Sequence, residues 1–214
     1  MAVVSDLEGT LTTGATWRGF GKYLQTFRSR PRYWAFLVLR LMGVPLVKLG
    51  VFDEQTYRSA WISAMLLQFK GATPADVARM AEWVVEHEMW PRRREDALAE
   101  IARHRAAGQR VIVASGTYQP LVEAFARRIG AEALGTPLEF ADGRTTGYTD
   151  GPIRVRQEKV DQVLAALDGE EIVAAYGDTA SDVPLLELAR EPVAVYPSPA
   201  LRQIATARGW RILE

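Results

Sequence analysis

The chain has 214 residues, of which 48% are hydrophobic, and its 26 Lys and Arg are balanced by 26 Asp and Glu. This length and composition suffice to bury one large core or two small ones, which excludes a disordered or fibrous protein. The net charge of zero gives no general attraction to nucleic acid, so the expected partner is a small molecule and not a nucleic acid. The chain has no cysteine, which excludes disulfide scaffolds, thiolate nucleophiles and cysteine metal sites.

Two segments bear on targeting and membranes. The first ten residues contain two acids and no basic run, so they do not resemble a secretory or transit signal, and a cytoplasmic location is expected. The most apolar stretch, residues 33–52, is interrupted by two basic residues, two glycines and a proline, whereas a spanning helix needs about 20 largely apolar residues in a row. We therefore expect no stable membrane insertion. The oligomeric state, monomer or homodimer, is left open.

Short runs of branched apolar residues predict buried parallel strands at 3–4, 111–113, 172–173 and 193–195. Helical patterns follow the later strands, at 120–129, 157–167 and 180–189. Alternation of strand and helix predicts an α/β fold with a doubly wound, mostly parallel Rossmann-like sheet.

The chain between the first two predicted strands has helical periodicity and no convincing strand. It predicts an all-helical cap domain over residues 15–89, inserted into an α/β catalytic core formed by residues 1–14 and 90–214. The two connections, near Gly14 and near Trp90, are expected to lie close together and to permit hinge motion.

Two short sequence patterns predict a particular local structure. Thr73, followed by Pro74 and Asp76, predicts the N-cap and first turn of a helix. The pair Asp142-Gly143 supplies the positive φ angles of a type I′ turn and predicts a β-hairpin around it.

The segment Asp6-Leu7-Glu8-Gly9-Thr10 follows the first predicted strand. In open α/β sheets ligands bind at the carboxyl ends of the strands. Side chains two residues apart in an extended chain point to the same side, so one carboxylate can bind a metal and attack while the other moves a proton. By themselves, two acids that cap a turn would look the same.

A second pair of acids, Asp178 and Asp182, follows the strand predicted at 172–173. If a helix begins at about Asp178, the i, i+4 spacing lets both carboxylates face one point, which suits a hard divalent cation such as Mg²⁺. In isolation, such a pair is more often an N-cap and a solvated acid in the first helical turn. Together with Asp6 and Glu8, however, four acids would gather at adjacent strand ends and repel one another without a cation.

A third segment, Ser115-Gly116-Thr117, is expected to leave a strand and enter a helix, where backbone N–H groups can bind a phosphate. Lys159, near the start of the helix predicted over 157–167, could supply the positive charge that a phosphoryl group requires. In isolation, an ordinary helix cap and a surface lysine are the simpler interpretations.

Taken in order, these segments resemble the four motifs of the haloacid dehalogenase superfamily, and more narrowly its phosphoserine-phosphatase-like branch. They are Asp6-x-Glu8-Gly9-Thr10-Leu11-Thr12, Ser115-Gly116-Thr117, Lys159 and Gly177-Asp178-x-x-x-Asp182. In that branch a helical cap fills the long interval between the first two motifs, and residues 142–147 are also similar. The resemblance covers essentially the whole chain and is weakest in the cap.

The resemblance implies a Mg²⁺-dependent phosphatase that hydrolyses a small organic phosphomonoester through an aspartyl-phosphate intermediate. It makes Asp6 the nucleophile and Glu8 the general acid and base. It also implies that Mg²⁺ is held by Asp6, by the backbone carbonyl of Glu8 and by Asp178, with Asp182 as a further or water-mediated partner. Closure of the cap would exclude bulk water.

The phosphate-binding residues implied by the resemblance are Ser115, Gly116 and Lys159. Ser115 would bind the phosphoryl oxygens, beside Gly116. Lys159 would neutralise the phosphate and orient Asp6, and it counts as catalytic for that reason.

The chain departs from the branch at two places. Its second acid is Glu8 where Asp is usual, and similar replacements occur in relatives that pass the phosphoryl group to an alcohol, so a phosphotransferase is an alternative. Phosphoserine phosphatases carry a Glu near the start of the cap that holds the amino group of the substrate. No acid occurs between Glu8 and Asp53, so phosphoserine is not the expected substrate.

The segment 28–39 places arginines beside an aromatic and apolar run, a composition typical of elements that rest on an anionic bilayer. One interpretation is an amphiphilic phosphomonoester substrate, and another is a non-catalytic protein that uses this surface for a membrane or a partner. The simpler and favoured interpretation is that the run packs inside the cap or at a dimer contact.

Overall fold

The computed structural model describes residues 1–27, 38, 42 and 64–214. Its strands are β1 (Ala2–Ser5), β2 (Arg110–Tyr118), β3 (Glu132–Thr136), β4 (Leu138–Ala141), β5 (Arg144–Thr149), β6 (Ile172–Gly177), β7 (Glu191–Val195) and β8 (Arg211–Leu213). Six of them form one sheet in the order β3-β2-β1-β6-β7-β8, and every neighbouring pair is parallel. The predicted parallel sheet is confirmed, and β1 lies in its middle.

The central strands are apolar throughout because the sheet is covered on both faces. Successive side chains alternate between two separate cores: Val3 and Val113 belong to one, and Val4 and Ile112 belong to the other. All four residues of β1 are fully buried. The carboxyl end of β1 is therefore held between two packed layers.

The α-helices that lie wholly within the described residues are α1 (Thr16–Phe27), α2 (Pro74–Val84), α3 (Glu95–Ala106), α4 (Gln119–Ile129), α5 (Gln157–Leu167), α6 (Val183–Leu186) and α7 (Pro199–Arg208). Short 3₁₀ turns occur at Leu67–Phe69, Trp90–Arg92 and Ala180–Asp182, and a π-helical turn occurs at Val85–Met89. Helices α3 and α4 contribute to the core on one face of the sheet, and α5, α6 and α7 contribute to the core on the other. This is the doubly wound arrangement that the sequence predicts.

The helix predicted over 180–189 is wrong in its extent, because only Val183–Leu186 is α-helical. Before it, the Asp182 side chain accepts a hydrogen bond from the backbone N–H of Thr179 and closes a 3₁₀ turn. After it, the N–H groups of Leu188 and Ala189 bond three residues back, to Leu185 and Leu186. These tighter turns at both ends leave a single turn of α-helix between them.

The part of the predicted cap that the structure describes contains only helical elements. Helix α2 begins after the predicted N-cap, Thr73, which exchanges hydrogen bonds with Asp76 in a capping box. Its buried residues share one apolar cluster with Phe20 of α1 and Val113 of β2. This part of the chain therefore packs directly on the core next to the sheet, and the division into core and cap stays a prediction.

The two connections between the sheet and this helical part touch each other. The Thr12 hydroxyl donates to the carbonyl of Met89 at 2.6 Å. A Cβ atom on Gly14 would lie 2.6 Å from the carbonyl oxygen of Glu88 and 2.6 Å from Cα of Met89, so only glycine allows this approach. The proximity expected from the sequence is confirmed.

A buried carboxylate lies at the same junction. Glu88 is fully buried and faces three basic side chains: Arg18 at 3.1 Å, Arg92 at 3.0 Å and Lys22. Arg18 and Lys22 belong to α1, whereas Arg92 belongs to the chain that returns toward α3. Glu88 thus connects the outgoing and returning parts of the chain by charge.

The predicted hairpin is confirmed as β4 and β5, with Asp142 at φ 51° and Gly143 at φ 71° in its turn. Thr145 exchanges backbone hydrogen bonds with Gly71 and Ala72, just before α2. The hairpin therefore supports the start of that helix.

The basic and aromatic segment 28–39, apart from Val38, lies outside the described residues, as does most of the apolar stretch 33–52. Within residues 1–27 and 64–214, we find no helix whose length and apolarity would let it cross a bilayer.

Candidate active site

Asp6 lies at the carboxyl end of β1, in the middle of the sheet. Its backbone N–H donates to the carbonyl of Tyr176 in β6, and its side chain is buried. Lys159 Nζ donates to Asp6 Oδ1 at 2.7 Å, and the Thr10 hydroxyl donates to Asp6 Oδ2 at 3.3 Å. One lysine and one hydroxyl therefore hold the two carboxylate oxygens in fixed directions.

Asp178 and Asp182 lie beside Asp6. The Thr10 hydroxyl lies 3.4 Å from Asp178 Oδ1, and Lys159 Nζ donates to Asp182 Oδ1 at 2.8 Å. Oxygen atoms of the three carboxylates lie within 4.8 Å of one another. The expectation of an α-helix starting at Asp178 is wrong, because the 3₁₀ turn at Ala180–Asp182 brings the pair together instead.

The electrostatics of these carboxylates favour a cation. Burial raises the pKa of Asp178 to about 8, and repulsion from Asp6 and Asp182 adds to this shift. Burial also raises the pKa of Asp6 to about 6, although Lys159 opposes it. For Lys159, burial disfavours the ammonium form, but the two carboxylates outweigh it and raise its pKa above the usual value. Among the described residues, two buried acids, Asp6 and Asp182, and the partly buried Asp178 therefore face one lysine.

The donor set fits a hard divalent cation. Carboxylate oxygens are the ligands that Mg²⁺ and Ca²⁺ take, and Mg²⁺ needs only one or two of them with water and substrate oxygens. A cation would relieve the repulsion that raises the pKa of Asp178. Among the described residues, Asp6, Asp178 and Asp182 are the ones that could hold it.

Glu8 occupies a different position from these three acids. Its Oε1 accepts a hydrogen bond from the backbone N–H of Thr16 at 3.0 Å and another from the Thr16 hydroxyl. The side chain of Glu8 thus contacts the first turn of α1 and does not join the three-carboxylate cluster. Its predicted contribution to a metal site through the backbone carbonyl stays a prediction.

The segment Ser115-Gly116-Thr117 lies inside β2 and not at the start of a helix. Strand β2 continues to Tyr118, although its pairing with β3 shifts between Ala114 and Tyr118, and α4 begins only at Gln119. The expected helix N-terminus at Ser115 is therefore wrong, because the strand extends past the irregularity. Ser115 is buried near the carboxyl end of β2, beside β1.

The backbone around Gly116 is closely packed. The Thr136 hydroxyl donates to the carbonyl of Gly116 at 2.8 Å. A Cβ atom at Gly116 would lie 2.6 Å from Cγ1 of Val155, so a side chain there would push against the loop that leads to α5. This packing fixes the loop that leads into α5, the helix that carries Lys159.

Three functional candidates were not singled out from the sequence. Thr10 contacts both Asp6 and Asp178, and its place inside the first motif was the available signal. Arg94 donates from Nε to the carbonyl of Gly9 at 3.0 Å. Thr16 contacts Glu8, and no sequence signal connects residues that belong to separate elements.

The chain is similar over most of its length to known proteins. The family model of haloacid dehalogenase-like hydrolases matches residues 3–187. Protein CicA of Caulobacter vibrioides is 35% identical over 195 residues, covering 89% of this chain and 84% of that protein. A phosphoserine phosphatase of Mycobacterium tuberculosis, SerB1, is 34% identical over 220 residues, covering 99% of this chain and 70% of that protein.

The fold also matches a solved structure. A protein of unknown function from Bordetella pertussis Tohama I has a TM-score of 0.80 and 27% identity, with coverage of 100% of this chain and 97% of that chain. Sequence motifs, sheet order and family match agree, and the chain belongs to the haloacid dehalogenase-like hydrolase family.

Proposed function

We propose that this protein is a Mg²⁺-dependent phosphatase that hydrolyses a small organic phosphomonoester through an aspartyl phosphate on Asp6. The observation that carries the proposal is the position of Asp6, held by Lys159 next to Asp178 and Asp182 at the end of the central strand. The family match and the phosphatase among the relatives support it.

In the first step, a carboxylate oxygen of Asp6 forms a bond to phosphorus while the bond between phosphorus and the ester oxygen breaks. The departing alkoxide takes a proton from Glu8, so that an alcohol leaves. Lys159 orients Asp6 and offsets phosphate charge, and Ser115 and Gly116 bind phosphoryl oxygens.

In the second step, Glu8, now a carboxylate, takes a proton from a water molecule that attacks phosphorus. The bond between phosphorus and Asp6 breaks, which returns the Asp6 carboxylate and releases phosphate. A bound Mg²⁺, held by Asp6, Asp178, Asp182 and the carbonyl of Glu8, would supply charge neutralisation for the phosphoryl oxygens.

The test is hydrolysis of p-nitrophenyl phosphate and a panel of metabolite phosphates, including phosphoserine and a long-chain alkyl phosphate, with and without Mg²⁺. We expect Mg²⁺-dependent release of phosphate that falls at least about a thousandfold in Asp6→Asn. Asp161→Asn, an exposed acid on the same helix as Lys159, is the control and should keep full activity. Absence of hydrolysis across the panel, or full activity in Asp6→Asn, would refute the proposal.

The panel also tests the substrate class. The lack of an acid between Glu8 and Asp53 argues against phosphoserine. Preference for the long-chain alkyl phosphate over short ones would establish an amphiphilic substrate.

A phosphotransferase is the second candidate, and the observation that favours it is Glu8 in place of the usual Asp. A phosphotransferase would transfer the phosphoryl group to an alcohol faster than to water. Addition of alcohols during turnover measures this, since a transferase forms a new phosphoester at the expense of free phosphate. Unchanged phosphate release with every acceptor would exclude it.

A further inference from the structure

The proposed acid, Glu8, is held by a residue outside the four motifs. Thr16 offers both its backbone N–H, at 3.0 Å, and its hydroxyl to the same oxygen, Glu8 Oε1. Thr16 itself is buried, with 6% of its surface exposed. Two donors on one oxygen fix the direction of the carboxyl group of Glu8, which is itself partly buried.

The hydroxyl of Thr16 also contacts β2. Its Oγ1 lies 2.7 Å from Oγ1 of Thr117, which is buried as well. A hydroxyl has one proton, so when Thr16 donates to the Glu8 carboxylate, Thr117 must donate in the contact between the two threonines. The backbone N–H of Thr117 in turn donates to Ser115 Oγ at 3.3 Å. Thr16 therefore connects the proposed acid to the proposed phosphate-binding strand.

Helix α1 is fixed in this position by packing. Phe20, one turn after Thr16, stacks on Tyr118 of β2 with ring centroids 5.4 Å apart. Thr16 is the first residue of α1, where free N–H groups and the helix dipole favour a carboxylate. The contact with Glu8 is thus set by the placement of a helix and not by a flexible side chain alone.

We propose that Thr16 is a positioning residue that orients Glu8 for proton transfer to the leaving group, and that the extra methylene of Glu8 lets it reach this contact. The inference rests on the proposed phosphatase function. Thr16 transfers no proton itself. An Asp at position 8 is one methylene shorter and should lose the contact.

The experiment compares Thr16→Val, Thr16→Ser, Glu8→Asp and the double variant Glu8→Asp/Thr16→Val on two substrates. Loss of p-nitrophenolate needs little protonation, whereas loss of an alkoxide from an alkyl phosphate needs a proton. We expect Thr16→Val to lower kcat on the alkyl phosphate about 10- to 100-fold, with a smaller loss on p-nitrophenyl phosphate and little change in KM. Thr16→Ser keeps the hydroxyl and should restore kcat.

The double variant tests the coupling directly. In the Glu8→Asp background, Thr16→Val should have almost no further effect, because the contact is already lost. Thr13→Val is the matched control, since within the described part of the chain the exposed Thr13 hydroxyl donates only to the carbonyl of Arg92, in the returning connection, and does not contact Glu8. It should leave kcat on both substrates unchanged.

Three results would overturn the inference: a rise in KM alone, equal losses on both substrates, or an undiminished effect of Thr16→Val in the Glu8→Asp background. Amide hydrogen exchange gives a readout that needs no turnover, since Glu8→Asp should speed exchange of the Thr16 amide, and an unchanged rate would contradict the contact. Lack of phosphatase activity in the unmodified protein would instead refute the proposed function, so the two failures are distinguishable.

Discussion

Gly9 lies so close to Asp178 that a Cβ atom on Gly9 would be 2.0 Å from Asp178 Oδ2. The Gly9 backbone has φ 94°, a conformation that residues with a side chain rarely adopt. The loop after β1 therefore passes directly against a carboxylate of the proposed metal site.

Gly9→Ala should displace Asp178 and abolish Mg²⁺ binding, as measured by isothermal titration calorimetry and by activity. Strain from the positive φ angle alone costs about 1 kcal/mol. Gly169→Ala is the control, because Gly169 has φ 84° and open space around its Cβ position. If both variants lose stability equally and both still bind Mg²⁺, the close approach has no effect on the site.

Lys159→Met should lower kcat/KM about 100- to 1,000-fold, because it removes the charge that orients Asp6. The same change should tighten Mg²⁺ binding, since Asp6 and Asp182 would lose their lysine partner beside the third carboxylate, Asp178. Calorimetry and steady-state kinetics measure the two effects separately. Lys70→Met, at an exposed position, is the control. Weaker Mg²⁺ binding in Lys159→Met would contradict this account of the charges.

The metal-free protein should become less stable as the pH rises, and bound Mg²⁺ should offset this loss. With a folded pKa of about 8 against an ordinary value of 3.8, Asp178 keeps a proton in the folded protein that the unfolded chain has released. The folded state therefore binds more protons between these values, and the metal-free protein loses stability as pH rises through them. The increase in Tm caused by Mg²⁺ should grow from pH 5 to pH 8. In Asp178→Asn, the Tm increase caused by Mg²⁺ should depend less on pH. A Tm increase that does not depend on pH in the unmodified protein would contradict the raised pKa of Asp178.

Glu88→Gln should destabilise the protein by about 2 kcal/mol, because it removes a buried charge with three basic neighbours. The basic partners are partly exposed, so water compensates some of the loss. Glu86→Gln is the control on the same turn, since its pair with Arg128 is exposed and should contribute less than about 1 kcal/mol. Chemical denaturation measures both, and equal losses would show that burial of Glu88 has no special effect.

The sequence predicted most of the sheet and the residues around Asp6 for one physical reason. Parallel strands end at the same edge, so motifs after β1 and β6 must approach each other whatever the intervening chain does. Lys159 was identified by its place at the start of α5, whose bounds the periodicity predicted.

Other features depend on contacts that no local pattern encodes. The turn at Asp182 is 3₁₀ because its side chain bonds to the backbone of Thr179, and β2 runs past Ser115 because its pairing with β3 shifts there. The contacts of Thr16 with Glu8 and Thr117 join three separate segments. Such contacts follow from tertiary packing, which periodicity and spacing do not describe.

The contact of Gly14 with Glu88 and Met89 has an evolutionary consequence. Where the ends of a chain segment already meet, doubling the length of the segment raises the free-energy cost of closing it by only about 0.6 kcal/mol. Such a segment can be exchanged for one of another size while the sheet keeps its geometry. Changes in the chain between Gly14 and Glu88 should thus leave the three carboxylates at the end of the sheet unaltered.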